Sequence, residues 1–480
     1  MRRVLIVMAA AAPLLAACAT DRSLREADLR LPAQFSSTGG ATSQAAALDR
    51  WWTLYGDPEL ESLVDQALAA STDARAAQAR LEEAAALRRS RNRQLYIPKG
   101  DLQGSASVTQ TEVLEGSAGG FGGQGAPAGQ SNNQSLTFPV SWEIDVFGRN
   151  RAARDIIRGD FAAARFNYEA TRAALAGQVA SSLFQARGVA VQLQDAQETL
   201  RIQQEIARVT GIRAERGLAP SSEAARANAE LAQSEAEVAR LDAELRAATR
   251  ALLTLVGRPA ETLDALVIAA DLYDPPAAPA AVPGLLLARR PDVREAEARI
   301  RSASGALRGA ELALFPRFTL QPSVGLSRIG SDAFTSATGF WTLGAGLLLP
   351  ILDRPRLMAE IDVSGARAEQ AVIAYERAVQ TAFSEADRAL IQLEADRARV
   401  RTLTAGEANA REAYDAARRG YTAGLIDLQR LLDAERAWRG TRAALAGART
   451  TALQRSVQTF QALGGGWSPE TTTTSAGTRG

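Results

Sequence analysis

The amino-acid sequence predicts a mixed α and β membrane protein, built from four transmembrane strands and several long charged helices per chain. Three observations predict this fold. Four segments of about ten residues alternate apolar and polar side chains, as strands that cross a bilayer do. Two segments of about 65 residues carry a narrow apolar seam among charged residues, as coiled-coil helices do. Both kinds of segment occur twice, in the same order, within the 480-residue chain.

The composition excludes most kinds of catalytic, metal and nucleic-acid site. The chain has no histidine and one cysteine, so it lacks an imidazole base, a Cys–His pair and a Cys-rich metal site. Its 55 basic and 54 acidic side chains nearly balance, whereas nucleic-acid binding needs a clustered positive charge. We therefore expect a protein that is not an enzyme and that binds no cofactor, metal or nucleic acid.

The N-terminus has the layout of an export signal. Two arginines precede an apolar run of about a dozen residues, which is too short to span a bilayer. The run ends in Leu15-Ala16-Ala17-Cys18, which resembles the bacterial lipoprotein signal. That resemblance implies removal of residues 1–17 and an acyl anchor on Cys18, and Ala19 favours sorting to the outer membrane. An ordinary signal peptide with an incidental cysteine is the alternative.

The mature chain is predicted to contain an internal two-fold repeat. The landmarks Pro98 and Gly217 of the first copy recur as Pro316 and Gly424 in the second. The predicted segments are an N-terminal anchor and equatorial segment (18–56), the first repeat (57–256), a linker and equatorial segment (257–290), the second repeat (291–463) and a polar C-terminal tail (464–480).

Each repeat is predicted to contain one pair of strands. The pairs are 101–113 with 134–147, and 317–329 with 340–352. In the second strand, for example, Leu136, Phe138 and Val140 alternate with polar side chains. Glycine-rich connections within each pair predict exposed loops. Trp142 and Trp341 fall on the apolar faces, where they are either membrane-interface aromatics or packing residues.

Helices are predicted before and after each strand pair. They are helical stretches at 57–96 and 291–314, long helices at 149–216 and 355–419, and helices at 221–256 and 425–463. Leu175, Val179 and Leu183 belong to a seam spaced by four and three residues. At 1.5 Å per residue the long helices reach roughly 100 Å, which predicts an elongated bundle. The charged run 289–294 is expected to be a solvated helix start, because acidic residues balance its arginines.

One chain brings too few strands to close a membrane barrel. A four-stranded sheet in lipid would expose two edges of unpaired backbone groups, each costing several kcal/mol. Two copies would give about eight strands around a packed interior, and three would give about twelve around an open one. The inward residues are Ser, Thr, Gln and Gly, which suit water. We therefore expect a homotrimer with a 12-stranded barrel that continues into a periplasmic α-helical coiled-coil barrel.

The sequence resembles a known family, the TolC-like outer-membrane efflux channels of the lipoprotein (NodT-like) branch, which serve resistance-nodulation-division pumps. The marks of the resemblance are Trp51-Trp52 with Tyr55-Gly56-Asp57-Pro58, the run Trp142 to Arg149, Ala288 to Arg294, and Leu463-Gly464-Gly465-Gly466-Trp467. It implies a trimeric duct that exports small molecules when docked to a periplasmic adaptor and an inner-membrane pump. It also implies an outer-membrane location, anchored in the lipid through Cys18.

The resemblance places a periplasmic gate near the second helix reversal. The gate residues are Tyr421, Gln429, Arg430, Asp433 and Arg436. Gln429, Asp433 and Arg436 share one helical face, and three copies of Asp433 would form a carboxylate ring that selects cations. This sequence has Arg430 at a position where some members of the family have a second acidic residue. The alternative is that Asp433 and Arg436 form a surface ion pair.

The resemblance also assigns adaptor docking to the two helix tips, at Gly217, Ser221 and Gly424. Ser221 or Ser222 is expected to cap the helix that follows the first tip, and simple helix reversal is the alternative role for each tip residue. Two other functions stay open from the sequence: a type I protein secretion channel, and a pore-less envelope coiled-coil scaffold. The alternating strands argue against the scaffold.

Overall fold

The structure is a computed structural model that describes residues 24–32, 34–36, 48–112, 129–277, 283–331 and 335–468. Cys18 and most of the polar tail lie outside these residues. The helices are α1 (Pro58–Ala70), α2 (Thr72–Tyr96), α3 (Arg149–Glu215), α4 (Ser221–Leu255), α5 (Pro283–Arg289), α6 (Pro291–Leu312), α7 (Arg354–Thr422) and α8 (Leu428–Ala462). The strands are β1 (Lys99–Gly100), β2 (Gln103–Thr111), β3 (Gly129–Ile144), β4 (Arg317–Ser331) and β5 (Thr335–Leu348), and short 3-10 helices lie at Trp51–Tyr55 and Leu263–Ala265.

The first predicted helical stretch, 57–96, is two helices rather than one. Asp57 caps α1, since its Oδ1 accepts hydrogen bonds from the N–H groups of Glu59 and Leu60. Ser71 ends α1 with an extended backbone, and its hydroxyl accepts from the Ala74 N–H in the first turn of α2. A side-chain cap at Ser71 satisfies a donor that a restarted helix would otherwise leave free, so the chain starts α2 there.

The chain divides into two compact units. Within the described residues, the first contains 24–26, 83–162 and 298–373, which include the sheet. The second contains the described parts of 27–82, 163–297 and 374–480, which are mostly helical. None of the described helices combines the length and apolarity needed to cross a membrane.

The sheet of the first unit is antiparallel, in the order β2-β3-β4-β5, and β1 pairs with β3. The register places apolar residues opposite one another: Leu136 faces Leu326, and Val324 lies between Phe138 and Trp341. The other face carries pairs such as Ser135 with Ser327, Ser323 with Thr342, and Thr319 with Gly346. The sheet therefore has one apolar and one polar face, and Trp341 on the apolar face is 78% exposed.

Glycines let α3 and α6 approach closely in the first unit. A Cβ added to Gly159 would lie 2.6 Å from the Ser302 backbone nitrogen, which a real side chain does not tolerate. A Cβ on Gly305 would lie 2.9 Å from the Ala152 carbonyl oxygen. Both neighbours are backbone atoms that cannot rotate away, so the helices must separate if either glycine is replaced.

Gly305→Ala is expected to destabilise the protein by about 1–3 kcal/mol through this overpacking. Gly309 lies one turn later in α6 with no atom within 4 Å of an added Cβ. Gly309→Ala should instead stabilise it by about 0.5–1 kcal/mol, because alanine loses less backbone entropy in a helix. Thermal unfolding of the two variants in the same detergent measures the difference. Equal shifts would contradict the close approach.

The core of the second unit surrounds the predicted seam of α3. Leu175, Val179 and Leu183 are each at most 3% exposed. Trp51 is fully buried and stacks on Phe460 with ring centroids 5.6 Å apart. The apolar seam of α3 is therefore buried, as its spacing predicts. It belongs to one core with residues of α8 and of the 3-10 helix at Trp51–Tyr55.

The N-terminal segment of this unit lies along α7. The Asp28 N–H donates to Glu376 at 2.7 Å. Ser36 donates its N–H and its hydroxyl to the two oxygens of Asp387, at 2.6 and 2.9 Å. Two carboxylates on α7 therefore hold this segment.

Candidate gate, helix tips and supporting ion pairs

The two helix reversals have the same backbone geometry. Gly217 and Gly424 lie in the left-handed region, with φ of 66° and 73°. In each, the next N–H bonds back five residues, from Leu218 to the Arg213 carbonyl and from Leu425 to the Gly420 carbonyl. This pattern is a Schellman C-cap, which needs positive φ and so favours glycine. The tips therefore reverse the chain with their last carbonyls satisfied.

The residues that start the returning helices differ between the tips. Asp427 caps α8, since its Oδ1 accepts from the Arg430 N–H at 2.9 Å. At the first tip Pro220 is the N-cap residue and makes no side-chain cap. The prediction that Ser221 or Ser222 caps this helix is wrong, because α4 already begins at Ser221 and the extended Pro220 occupies the capping position.

Gln429, Asp433 and Arg436 share one face of α8, as their spacing predicts. The Gln429 amide donates to both oxygens of Asp433 at 3.0 Å, and Arg436 Nη1 donates to Asp433 Oδ1 at 3.2 Å. The Asp433 side chain is 55% exposed. The side chain of Arg430, one residue after Gln429, is also exposed. The three spaced residues thus form one hydrogen-bonded row, with the exposed Asp433 at its centre and the half-buried Gln429 and Arg436 on either side.

Two contacts across the tips were not predicted from the sequence. Arg213 on α3 donates to the Tyr421 hydroxyl at 3.1 Å, and its guanidinium lies 5.8 Å from the centre of that ring. Glu230 on α4 forms an ion pair with Arg436. A hydrogen bond from Arg436 to Glu230 raises the pKa of Arg436. These contacts connect the helices of the first tip to those of the second.

A buried ion pair joins α1 to α3 in the second unit. Arg187 Nη1 and Asp57 Oδ2 are 2.5 Å apart, and both side chains are at most 7% exposed. Glu59 also accepts from Arg187 at 2.5 Å, and the Tyr273 hydroxyl donates to Asp57 at 2.8 Å. Burial raises the pKa of Asp57, but hydrogen bonds from Arg187 and Tyr273 outweigh it and leave the pKa lowered.

The expectation of a solvated helix start at 289–294 is wrong. Arg289 and Arg290 are only 6% and 9% exposed. Arg290 pairs with Asp292 and with Glu385, each at 2.7 Å. Arg289 forms an ion pair with Asp49. Asp292 is a local counterion, but Glu385 and Asp49 come from distant parts of the chain, so local charge balance does not reveal the burial.

The glycine-rich run after α8 packs on this arginine pair. The Trp467 indole donates to the Arg289 carbonyl at 2.7 Å. Gly464, with φ of 77°, lies so close that a Cβ there would be 2.8 Å from the Arg289 backbone. Two of the sequence marks, 288–294 and 463–467, therefore form one buried contact.

No group of His, Cys, Asp and Glu that could hold a metal ion occurs among the described residues. Cys18, the predicted lipidation site, lies outside them.

Known proteins share sequence and fold with this chain. The sequence model of the outer membrane efflux protein family matches residues 63–258 and 282–465. The chain is 31% identical to the pyoverdine export outer membrane protein OpmQ of Pseudomonas putida, covering 92% of this chain and 93% of that protein. It is 27% identical to the cation efflux system protein CusC of Escherichia coli O6:H1, covering 94% and 96%.

A solved structure is also similar. The open state of the Neisseria gonorrhoeae MtrE outer membrane channel aligns with a TM-score of 0.77 and 26% identity, covering 94% of this chain and 99% of that one. The family match spans most of the sequence, and the fold of the channel is shared over nearly the whole chain. The chain therefore belongs to the outer membrane efflux protein family.

Proposed function

We propose that the protein is the outer-membrane exit duct of a tripartite efflux system. It conducts small molecules such as drugs, toxic compounds or metal ions passively to the exterior, through a gated trimeric tunnel. One observation carries the proposal: the sheet of the first unit has an apolar and a polar face, and β2 and β5 each pair with one strand among the described residues. Such a sheet is suited to lie between lipid and water.

The two open edges support assembly into a trimer. In lipid, unpaired edge groups cost several kcal/mol each, so β2 of one copy is expected to pair with β5 of the next. Because β1 and β2 pair with successive parts of β3, they count as one strand of the sheet. Three copies then give twelve strands, enough to surround a water-filled interior. The polar face carries Ser135, Ser323 and Thr319, and small hydroxyl side chains of this kind leave room for solvent.

The helix tips are the proposed docking site of the periplasmic adaptor, through Gly217, Ser221 and Gly424. An inner-membrane resistance-nodulation-division pump would drive transport, as the resemblance to efflux channels of the lipoprotein branch implies. OpmQ is named for pyoverdine export and CusC for cation efflux, although both are similar to this chain over more than nine-tenths of its length. The duct fold therefore does not by itself select the cargo.

The gate is proposed to be held closed by the contacts at the tips. The row of Gln429, Asp433 and Arg436 would face the tunnel, with Arg430 beside it. Arg213 and Glu230 would keep the second tip against the first, through Tyr421 and Arg436. Three copies of the exposed Asp433 would then form a ring of carboxylates that favours cations.

Chain geometry supports a lipid anchor at Cys18. Arg25 pairs with Glu369 on α7 at 3.1 Å. Glu369 is fifteen residues beyond the start of α7 at Arg354, or roughly 22 Å along the helix. The seven residues from Cys18 to Arg25 span at most about 25 Å when extended. An extended segment could therefore bring Cys18 to the level of the start of α7, which follows the last strand in the chain.

Cys18→Ser is expected to abolish lipid labelling, because serine lacks the thiol that accepts the acyl chain. The protein should then shift away from the outer-membrane fraction. Metabolic labelling with a radioactive fatty acid, followed by membrane fractionation, measures both effects. Labelling that persists in the variant would refute the anchor.

The function itself is tested by the mass and shape of the purified protein in detergent. Light scattering should give three chains per particle, and electron microscopy should show a central cavity along the particle axis. A deletion strain should become more susceptible to some exported compound, and the intact gene should restore resistance. A stable monomer, or a particle without a cavity, would overturn the proposal.

A further inference from the structure

A carboxyl–amide pair is buried between α3 and α8, behind the proposed gate face. Glu435 is 1% exposed and Gln203 is 0% exposed. The Gln203 Nε2 group donates to Glu435 Oε2 at 3.2 Å. Gln203 Oε1 is buried as well and has no hydrogen-bond partner. The same stretches of α3 and α8 contribute to a buried apolar cluster that includes Ile206, Leu431, Leu432 and Trp438.

An ionised Glu435 fits this site poorly. A buried carboxylate needs a cation or several donors, and Gln203 supplies a single N–H bond. The ionised form also has no proton to give, so the Gln203 Oε1 atom stays unsatisfied. A protonated carboxyl supplies the missing donor, and the two side chains then make two reciprocal hydrogen bonds.

The charged groups around Glu435 do not change this conclusion. On α8, Arg436 is paired with Glu230 and Asp433, and Arg442 is paired with Asp195 and Glu198. Arg439 on α8, Glu230 on α4 and Tyr414 on α7 also interact electrostatically with Glu435, and these three make no hydrogen bond to it. Burial raises the pKa of Glu435, Arg439 lowers it and Glu230 raises it, and the net direction is upward.

We propose that Glu435 is a protonation switch, whose neutral form locks the α3–α8 seam next to the gate through the reciprocal pair with Gln203. When the pH rises, the proton leaves to bulk water, the bond to Gln203 Oε1 is lost and a buried charge appears. A raised pKa in the folded state means that this stabilisation is complete below the ordinary glutamate value and is lost as the pH rises through the shifted value. The role in gating rests on the proposed function, and the seam itself does not.

Glu435→Gln tests the switch, because glutamine keeps one donor and one acceptor for Gln203 at every pH. Thermal unfolding of the full-length protein in detergent should be compared with wild type from about pH 4.5 to about pH 8.5. We expect the two proteins to agree at acid pH, with wild type becoming progressively less stable than Glu435→Gln as the pH rises. Infrared spectra should contain a protonated-carboxyl carbonyl band that the variant lacks.

Asp433→Asn is the matched control, since it neutralises an exposed carboxylate two residues away on the same helix. It should keep the wild-type pH profile and the carbonyl band. Identical pH profiles for wild type and Glu435→Gln, or a carbonyl band unaffected by the variant, would overturn the switch. Conductance in planar bilayers separates the two proposals. A seam that responds to pH while conductance stays constant supports the protonation switch and refutes only its role in gating.

Discussion

Arg187→Met is expected to destabilise the protein by about 3–5 kcal/mol, because it leaves a buried carboxylate without its cation. Asp57 is 7% exposed, and the Arg187 guanidinium contacts both of its oxygens. Methionine fills much of the same volume but donates no hydrogen bond. The thermal midpoint in detergent should fall by several degrees, and the fraction of assembled protein should fall with it.

The pH dependence of this variant should also change. The pKa of Asp57 is lowered in the folded wild type, so the pair contributes stability above the ordinary aspartate value and loses it as the pH falls through the shifted value. Without Arg187 the strongest cause that lowers the Asp57 pKa is lost while burial still raises it, so the difference between wild type and Arg187→Met should shrink in acid. Thermal unfolding at neutral and acid pH measures it.

Two controls keep this prediction specific. Arg208→Met makes the same replacement on the same helix, where Arg208 pairs with Glu205 in solvent, and it should change stability little. Asp57→Asn in the Arg187→Met background should recover part of the loss, because asparagine still caps α1 without a buried charge. Equal losses for Arg187→Met and Arg208→Met would show that the buried pair has no special weight.

Asp433→Ala is expected to raise single-channel conductance several-fold in planar bilayers and to reduce cation selectivity. The replacement removes the proposed carboxylate ring and frees Gln429 and Arg436 from their shared partner. Adding Arg436→Ala breaks the ion pair to Glu230, so the double variant should conduct more than either single one. The surface-pair alternative predicts no change in any of these measurements.

Asp242→Ala is the control for conductance. Asp242 lies on α4, pairs with Arg246 at 3.7 Å and is 55% exposed, the same exposure as Asp433. Asp242→Ala therefore removes an equally exposed carboxylate that does not belong to the proposed gate. A similar rise in conductance for Asp242→Ala would point to a general charge effect and contradict the gate.

The regular parts of the fold were predictable from local periodicity. The strand predicted at 317–329 is observed as Arg317–Ser331, because alternation of side chains directly reports the two faces of a strand. The division of 57–96 at Ser71 carried a signal that could have been used, since Ser-Thr-Asp is a typical helix start. Periodicity alone did not favour that break over a continuous helix.

Contacts between residues far apart in the chain could not be predicted from a single sequence. Arg213 with Tyr421, Glu230 with Arg436, and Gln203 with Glu435 are each separated by more than 200 residues. A partial signal existed for some of them. The apolar seam of α3 continues to Leu200, and Gln203 follows it three residues later. On α8, Glu435 likewise follows Leu432 by three residues. Polar residues that fall on an apolar seam could therefore have been predicted to be buried and to need a polar partner.

The N-terminal segment on α7 has a mechanical consequence. Its chain runs in the same direction as the helix, with Asp28 at Glu376 and Ser36 at Asp387. Tension applied parallel to the α7 axis would load both attachments at once, in shear, whereas a sideways pull would peel them off one after the other. The segment should therefore resist a force along the α7 axis better than a force perpendicular to it.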